Sequence, residues 1–152
     1  QPFNLDNLDL LRFRMEVIKD TDQVTIINDS KSTNPHSTYA AINQLVLLNK
    51  RLILILGGDT KGLIFSKNLL NLPPDTTCYI YGKDKDKIYQ EISFKNTFIF
   101  ETLKEVIDHL DTQNKDNVLI LFSPGCSSKD QYRDYIHRGD EFTQYLKDCS
   151  FL

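Results

Sequence analysis

V-T-I-I-N-D-S-K-S-T-N-P-H-S-T-Y-A-A, from Val24 to Ala41, is the stretch from which the fold is read. Four β-formers, Val24 to Ile27, end abruptly in the polar run Asn28 to Asn34. Pro35 then opens a segment whose apolar residues (Tyr39, Ile42, Leu45, Val46) recur every three to four positions. That order predicts a strand, a polar loop and a helix with proline in its first turn, the local design by which α/β proteins bind anions. Asn, Asp, Ser and Thr also serve as ordinary turn and cap residues. A cap needs one or two of them, whereas this loop carries six polar side chains around the central Lys31.

Outward from this unit the pattern repeats. Arg12 to Lys19 alternates like a half-buried strand and, through the Asp20-Thr21-Asp22 turn, should pair antiparallel with Val24 to Ile27 at a sheet edge. A helix is predicted over 35–48. Arg51 to Leu56 is apolar nearly throughout, as a central parallel strand covered on both faces must be, and it runs into G-G-D-T-K-G (57–62). Thr76 to Tyr81 reads as another buried strand, followed by a helix over 84–92 whose alternating Lys and Asp suit a solvated start. A short strand (97–100) and an amphipathic helix (103–110) follow. The strand Asn117 to Phe122 runs into S-P-G-C-S-S, and a helix over 129–147 closes the chain. Residues 1–12 read as a linker. The expected fold is therefore a single α/β domain, three-layered and Rossmann-like: a mostly parallel sheet with an antiparallel edge hairpin and helices on both faces.

The 152 residues are 40% apolar, enough for a real core, and the net charge of −3 without a Lys/Arg block gives no nucleic-acid-binding face. No apolar run is long enough to span a bilayer. Three scattered cysteines, with no C-x-x-C and no nearby His, favour reduced thiols in a cytoplasmic protein over a disulfide frame or a metal site. The chain begins at Gln1 without an initiator Met, so a piece of a longer protein is expected.

Three of the strands end in loops rich in Gly, Ser, Lys or Asp, and in a parallel sheet these lie together at the carboxyl edge. Gly57-Gly58 would let backbone N–H groups approach a ligand, with Lys61 as a point charge. The S-P-G-C-S-S loop would present N–H groups and hydroxyls at a helix start. Cys126 reads better as a small buried residue than as a nucleophile. His36, His109 and His137 read as surface or capping residues. Tyr132, Tyr135, Phe142 and Tyr145 read as core, with Tyr135 a possible exception. No Walker A and no G-x-G-x-x-G string occurs.

N-D-S-K-S-T-N (Asn28 to Asn34), L-I-L-G-G-D-T-K-G (Leu54 to Gly62) and L-F-S-P-G-C-S-S-K-D-Q-Y-R-D-Y-I-H-R-G-D-E-F (Leu121 to Phe142), in this order and each after a strand, resemble the C-terminal domain of the Mur ligases. The N-D-S-K-x-T-N form resembles the branch that adds D-glutamate. The resemblance covers the chain from about Arg14 onward. It implies an ATP-dependent amide ligase of peptidoglycan synthesis, cytoplasmic and monomeric, that joins D-glutamate to UDP-N-acetylmuramoyl-L-alanine through an acyl phosphate. The central ATPase domain, with most of the Mg²⁺ ligands, and the UDP-binding domain lie outside this chain, so the chain alone should be inactive.

By the same resemblance Arg14, Asp29, Lys31 and Asn34 would meet ATP, with Lys31 the catalytic cation near the transferring carboxylate. Thr33, Lys61, Ser128, the backbone at Lys129 and the ring of Tyr135 would receive D-glutamate. The chain departs from the family pattern at Phe13 (usually His), Ile64 (usually polar), Gly125 (usually Ala) and Tyr132 and Tyr135 (usually Phe). Two alternatives stay open: a sister ligase using another amino acid or folate, and a stand-alone, non-catalytic module that binds nucleotides or amino acids.

Overall fold

The computed structural model describes residues 12–65, 72–92 and 96–151; the linker expectation for the N-terminus falls almost wholly outside them. Among the described residues six strands, β1 (Glu16–Asp20), β2 (Val24–Asn28), β3 (Arg51–Gly57), β4 (Thr77–Tyr81), β5 (Asn96–Phe100) and β6 (Val118–Phe122), form one sheet in the order β1-β2-β6-β3-β4-β5. Only the β1–β2 pair is antiparallel; the other four pairings are parallel.

The apolar runs at β2, β3 and β6 are continuous because both faces of the sheet are covered. Helices α1 (Pro35–Leu45) and α2 (Lys85–Ile92) pack on one face, where Ile42, Leu45 and Ile88 meet Ile27, Leu54, Leu56 and Leu121. Helices α3 (Leu103–Asp111) and α4 (Tyr135–Asp148) pack on the other, where Val106, Leu110, Phe142 and Leu146 meet Ile26, Ile53, Ile55 and Phe122. Each fully buried Leu, Ile or Phe contributes about 1.5–3 kcal/mol of burial free energy. The expected three-layer sheet with its antiparallel edge is the one observed.

Several boundaries differ from the expectations. The edge strand begins at Glu16 rather than Arg12, because Phe13 and Met15 adopt left-handed φ values of 61° and 50°, which extended backbone cannot contain. The first helix ends at Leu45, and Val46–Leu48 tighten into a 3₁₀ turn closed by Asn49 at φ 55°. The last helix begins at Tyr135, not Lys129. The Ser128 carbonyl instead takes the N–H groups of Gln131 and Tyr132 in a turn, and Asp134 is the residue that caps the helix, accepting from His137 N.

Because β6 lies between β2 and β3, the loops following all three strands are neighbours at the carboxyl edge. They are stitched to one another: Gly125 N donates to Ser32 O (3.0 Å), Gly57 N to Pro124 O (3.1 Å), and Asp59 and Ser127 exchange both backbone hydrogen bonds.

Candidate functional site

The Asn28–Asn34 loop is built mostly from its own short side chains. Asn28 is buried. Its Oδ1 takes the N–H of Ser30 and its Nδ2 donates to Gly139 O and Thr143 Oγ1 on α4. Ser30 Oγ donates to Tyr135 O (2.8 Å), and Ser32 Oγ and Thr38 Oγ1 lie 3.1 Å apart. Asn34 is the N-cap of α1, its Oδ1 accepting from the N–H and hydroxyl of Ser37 (2.9 and 3.1 Å). Much of the loop's polarity is therefore architectural, and Lys31 and Thr33 are what it presents outward.

Asp29 ties three segments together. Its Oδ1 accepts from Met15 N (3.0 Å) and its Oδ2 from Ser123 Oγ (2.7 Å). Burial pushes its pKa up to about 6, against the lowering effects of those two hydrogen bonds and of Arg14 and Arg138. Beside it opens a cavity of about 350 Å³ lined by Arg14, Asp29 and Lys31 from the expected set, together with Ser32, His36 and Gln44. The Lys31 ammonium stands 3.3 Å from Tyr135 Oη and 4.9 Å from the centre of that ring, so the aromatic face holds the cation in place. Two cations flank one carboxylate in an open cavity, an arrangement suited to an anionic ligand carrying hydroxyl groups.

The remaining expected residues lie outside that cavity. Thr33 is exposed and Asn34 serves the helix cap. Lys61, at φ 53°, is exposed on the β3 loop and lies 3.4 Å from Asp59 Oδ2. Ser128 is buried, and the N–H of Lys129 donates to Ser127 Oγ at 3.4 Å. Two expectations are corrected. The Gly57 and Gly58 amides are not open to a ligand, since they donate to Pro124 O and Tyr81 O. Nor does the S-P-G-C-S-S loop lie at a helix start, because α4 begins seven residues after Ser128. Cys126 is buried and desolvation pushes its thiol pKa up, the setting of a small core residue rather than of an activated thiolate.

The residue that sequence reasoning missed is Arg138. Its guanidinium is fully buried and donates to Ser30 Oγ (3.0 Å), Ser30 O (2.6 Å), Ser32 O (3.4 Å) and Cys126 O (2.9 Å). It grips the loop on either side of Lys31 and ties it to the loop after β6. Its place in R-G-D-E-F was visible as part of a motif, but nothing there signalled burial.

The family described as "Mur ligase, glutamate ligase domain" matches residues 13–126, three quarters of the chain. This chain belongs to the Mur ligase family. It is 38% identical over 143 residues to the UDP-N-acetylmuramoylalanine–D-glutamate ligase of Buchnera aphidicola subsp. Baizongia pistaciae, covering 91% of this chain and 31% of that protein. Among solved structures it resembles the UDP-N-acetylmuramate-alanine ligase of Thermotoga maritima, with a TM-score of 0.64, 14% identity and coverage of 91% of this chain and 30% of that one. It also resembles the MurF ligase of Thermotoga maritima in complex with ADP, with a TM-score of 0.61, 18% identity and coverage of 93% and 33%. The chain spans less than a third of the length of the curated relatives it matches.

Within this Mur ligase domain the departures from the family pattern have local causes. Phe13 is buried, accepts Lys31 N at its carbonyl (3.0 Å), and lies against α4 at Gly139, where an added Cβ would come within 2.6 Å of the ring. Gly125 has φ 69°, and a Cβ there would sit 2.6 Å from Thr38 Oγ1, so glycine fits where the pattern has alanine. Ile64 is half exposed and Tyr132 partly buried, its hydroxyl 3.4 Å from Tyr145 Oη. Among the described residues no group of His, Cys, Asp or Glu is placed to hold a metal ion, and no helix is long and apolar enough to cross a membrane.

Proposed function

We propose that this chain is the amino-acid-binding domain of an ATP-dependent ligase that joins D-glutamate to UDP-N-acetylmuramoyl-L-alanine in peptidoglycan synthesis. The observation that carries this proposal is the likeness to D-glutamate ligases along nine-tenths of the chain, which includes the Lys31 loop at the sheet's carboxyl edge. In the reaction the acceptor carboxylate takes the γ-phosphoryl group of ATP, giving an acyl phosphate and ADP. The neutral amine of D-glutamate then attacks the acyl carbon and phosphate leaves, forming the amide.

The residues of this chain bind and orient. Arg14 and Lys31 face the nucleotide and the developing phosphate charge. Asp29 offers carboxylate oxygens to the ribose hydroxyls, each oxygen having a lone pair beyond its present bond. Lys61 receives a carboxylate of the amino acid, with Thr33, Ser128, the Lys129 backbone and Tyr135 around it, and Asn34 holds the α1 terminus in register. Fixed cations of this kind stabilise charge as it develops, and an ordered amine replaces a random encounter. The Mg²⁺ that accompanies ATP would be held mainly by a central domain of the same polypeptide, which on this proposal is this domain's partner. The full protein is a cytoplasmic monomer on this proposal.

The test is ligation by the full-length protein supplied with ATP, Mg²⁺ and UDP-N-acetylmuramoyl-L-alanine. D-glutamate, L-glutamate, L-lysine and meso-diaminopimelate are offered separately. Amide formed only with D-glutamate is the expected result. Product with another amino acid would transfer the assignment to a sister ligase, and no product with any would favour a binding module.

A further inference from the structure

The alternating Lys-Asp segment after β4, read from sequence as a solvated helix start, is built into the wall of the carboxyl-edge loops. Asp84 Oδ2 accepts both the N–H and the hydroxyl of Thr60 (2.8 and 2.9 Å), and Asp84 N donates to Gly58 O (3.1 Å). Lys83 N donates to Asp130 Oδ2 (2.9 Å), two residues beyond Ser128. Gly82 packs on Gly58 so closely that an added Cβ would lie 3.0 Å from Gly58 N. The Gly82-Lys83-Asp84 corner is thus fixed to both the β3 loop and the β6 loop, and its one outward-reaching group is the Lys83 ammonium.

That ammonium does not stand alone. Lys83 Nζ lies 3.5 Å and Lys61 Nζ 3.4 Å from the same oxygen, Asp59 Oδ2, while Asp59 Oδ1 takes the N–H of Lys61 (3.0 Å). Asp59 is itself held by its paired backbone bonds to Ser127 and is only 16% exposed, whereas both lysine side chains are about 60% exposed. Two cations share one carboxylate, so the three-residue bracket carries an excess positive charge. The shared oxygen also holds the ammoniums close enough together for one further carboxylate to present an oxygen to each. Of the neighbouring acids, Asp84 accepts the N–H and the hydroxyl of Thr60, and Asp130 accepts the backbone N–H of Lys83.

We propose that Lys83 is a second cation of the amino-acid subsite, and that the Lys61–Asp59–Lys83 bracket receives one carboxylate of a dicarboxylic amino acid between its two ammoniums. This rests on the assignment of Lys61 to the incoming amino acid made above. Asp59 is then a positioning residue: it sets the spacing of the two lysines without touching substrate. The second carboxylate of the amino acid is left for the Ser128 side of the cleft.

The experiment is steady-state ligation by the full-length protein with D-glutamate varied, comparing the wild type with Lys83→Ala, Lys83→Arg and Lys61→Ala. Lys83→Ala is expected to raise the KM for D-glutamate about tenfold, the loss appropriate to a partly exposed charge-assisted bond. It should leave the KM values for ATP and for the UDP-linked acceptor within twofold of wild type. Lys83→Arg should recover most of the affinity. Because Lys83 lies on the surface, an unchanged melting temperature will show that the fold is intact. Unchanged KM for D-glutamate in Lys83→Ala, alongside a strong loss in Lys61→Ala, would overturn the role of Lys83 and leave the ligase assignment standing. Equal rises in all three KM values would also overturn it. A wild-type protein that does not ligate D-glutamate would remove the assignment itself and the proposal with it.

Discussion

Asp29→Asn should stabilise this chain at neutral pH and flatten its acid response. In the fold the Asp29 carboxyl titrates near 6; unfolded it returns to about 3.8. Burial is the dominant cause, so folding disfavours the ionised form. The sign follows from proton binding. Between about pH 3.8 and 6 the folded chain holds more protons at this site than the unfolded one, so stability falls as pH rises through that window. Each pH unit between the two values is worth about 1.4 kcal/mol, so full ionisation costs about 3 kcal/mol, most of it felt between pH 4 and 7.

Asparagine keeps the shape. Its Oδ1 can still accept from Met15 N, and its Nδ2 can donate to Ser123 Oγ where Asp29 accepts from it. The assay is urea unfolding of the 152-residue chain and its Asp29→Asn variant at half-unit steps from pH 4 to 7. The carboxylates Asp59 and Asp111, whose pKa values are lowered by hydrogen bonds from Lys61 N and Ser150 respectively, act in the opposite direction, but they are common to both proteins and cancel in the difference. The variant's advantage should grow by about 2 kcal/mol across the range. A difference that stays flat, or that shrinks as pH rises, would refute the claim that burial controls this carboxyl.

In the full-length protein, Lys31→Ala or Lys61→Ala should lower ligation at least ~100-fold, the loss expected when a positioned cation is removed; near-normal turnover in both would displace them from the site. Arg138→Ala strips the donors from three carbonyls and a hydroxyl in a dry environment. It should cost at least about 3 kcal/mol in urea unfolding, and a loss below about 1 kcal/mol would show that water replaces the guanidinium. Gly139→Ala drives a methyl into the Phe13 ring and should destabilise by about 1–3 kcal/mol. Most of this should be recovered in a double variant with Phe13→Leu, and purely additive losses would exclude the clash. A thiol reagent added to the folded chain should label Cys149 well before the buried Cys78 and Cys126, with all three reacting in urea; rapid native labelling of Cys126 would contradict its burial.

The fold was legible where one physical signal dominated. Unbroken apolar runs such as Leu52–Leu56 have no way to face water, so they had to be central strands, and the 3.6-residue period of Leu103, Val106, Ile107 and Leu110 left one face to bury. Where two signals competed, the weaker one decided. Arg12 to Lys19 alternates like a strand, but the backbone at Phe13 and Met15 turns left-handed, and Met15 N thereby meets Asp29. Lys129 to Asp134 has helix-compatible residues, but Asp134 is the better cap, and a capping side chain sets where a helix can begin. The carboxyl-edge loops were correctly gathered, because parallel strands must end on the same side. Their hydrogen bonds were not foreseen: glycine-rich loops suggested free amides, yet in a close-packed edge those amides are consumed by the adjacent loops.

Arg138 shows why a candidate cation such as Lys31 can be picked out in a sequence while its buried support cannot. A charged residue on a helix is ordinarily assigned to solvent, and the sequence R-G-D-E-F carries no acid placed to neutralise it in the core. In the fold its positive charge is spread over the carbonyls of Ser30, Ser32 and Cys126, with the buried Asp29 carboxyl close enough to feel its attraction. Those acceptors come from two loops far apart in sequence, and neither loop could leave its carbonyls inside without a donor. Burying the guanidinium is therefore the condition for bringing the Lys31 loop and the Cys126 loop together. Helix α4 also lends Tyr135 to steady the Lys31 ammonium. The outward cation that the sequence announces is held from below by an inward one that it does not, and a single helix, through Tyr135 and Arg138, sets the position of both.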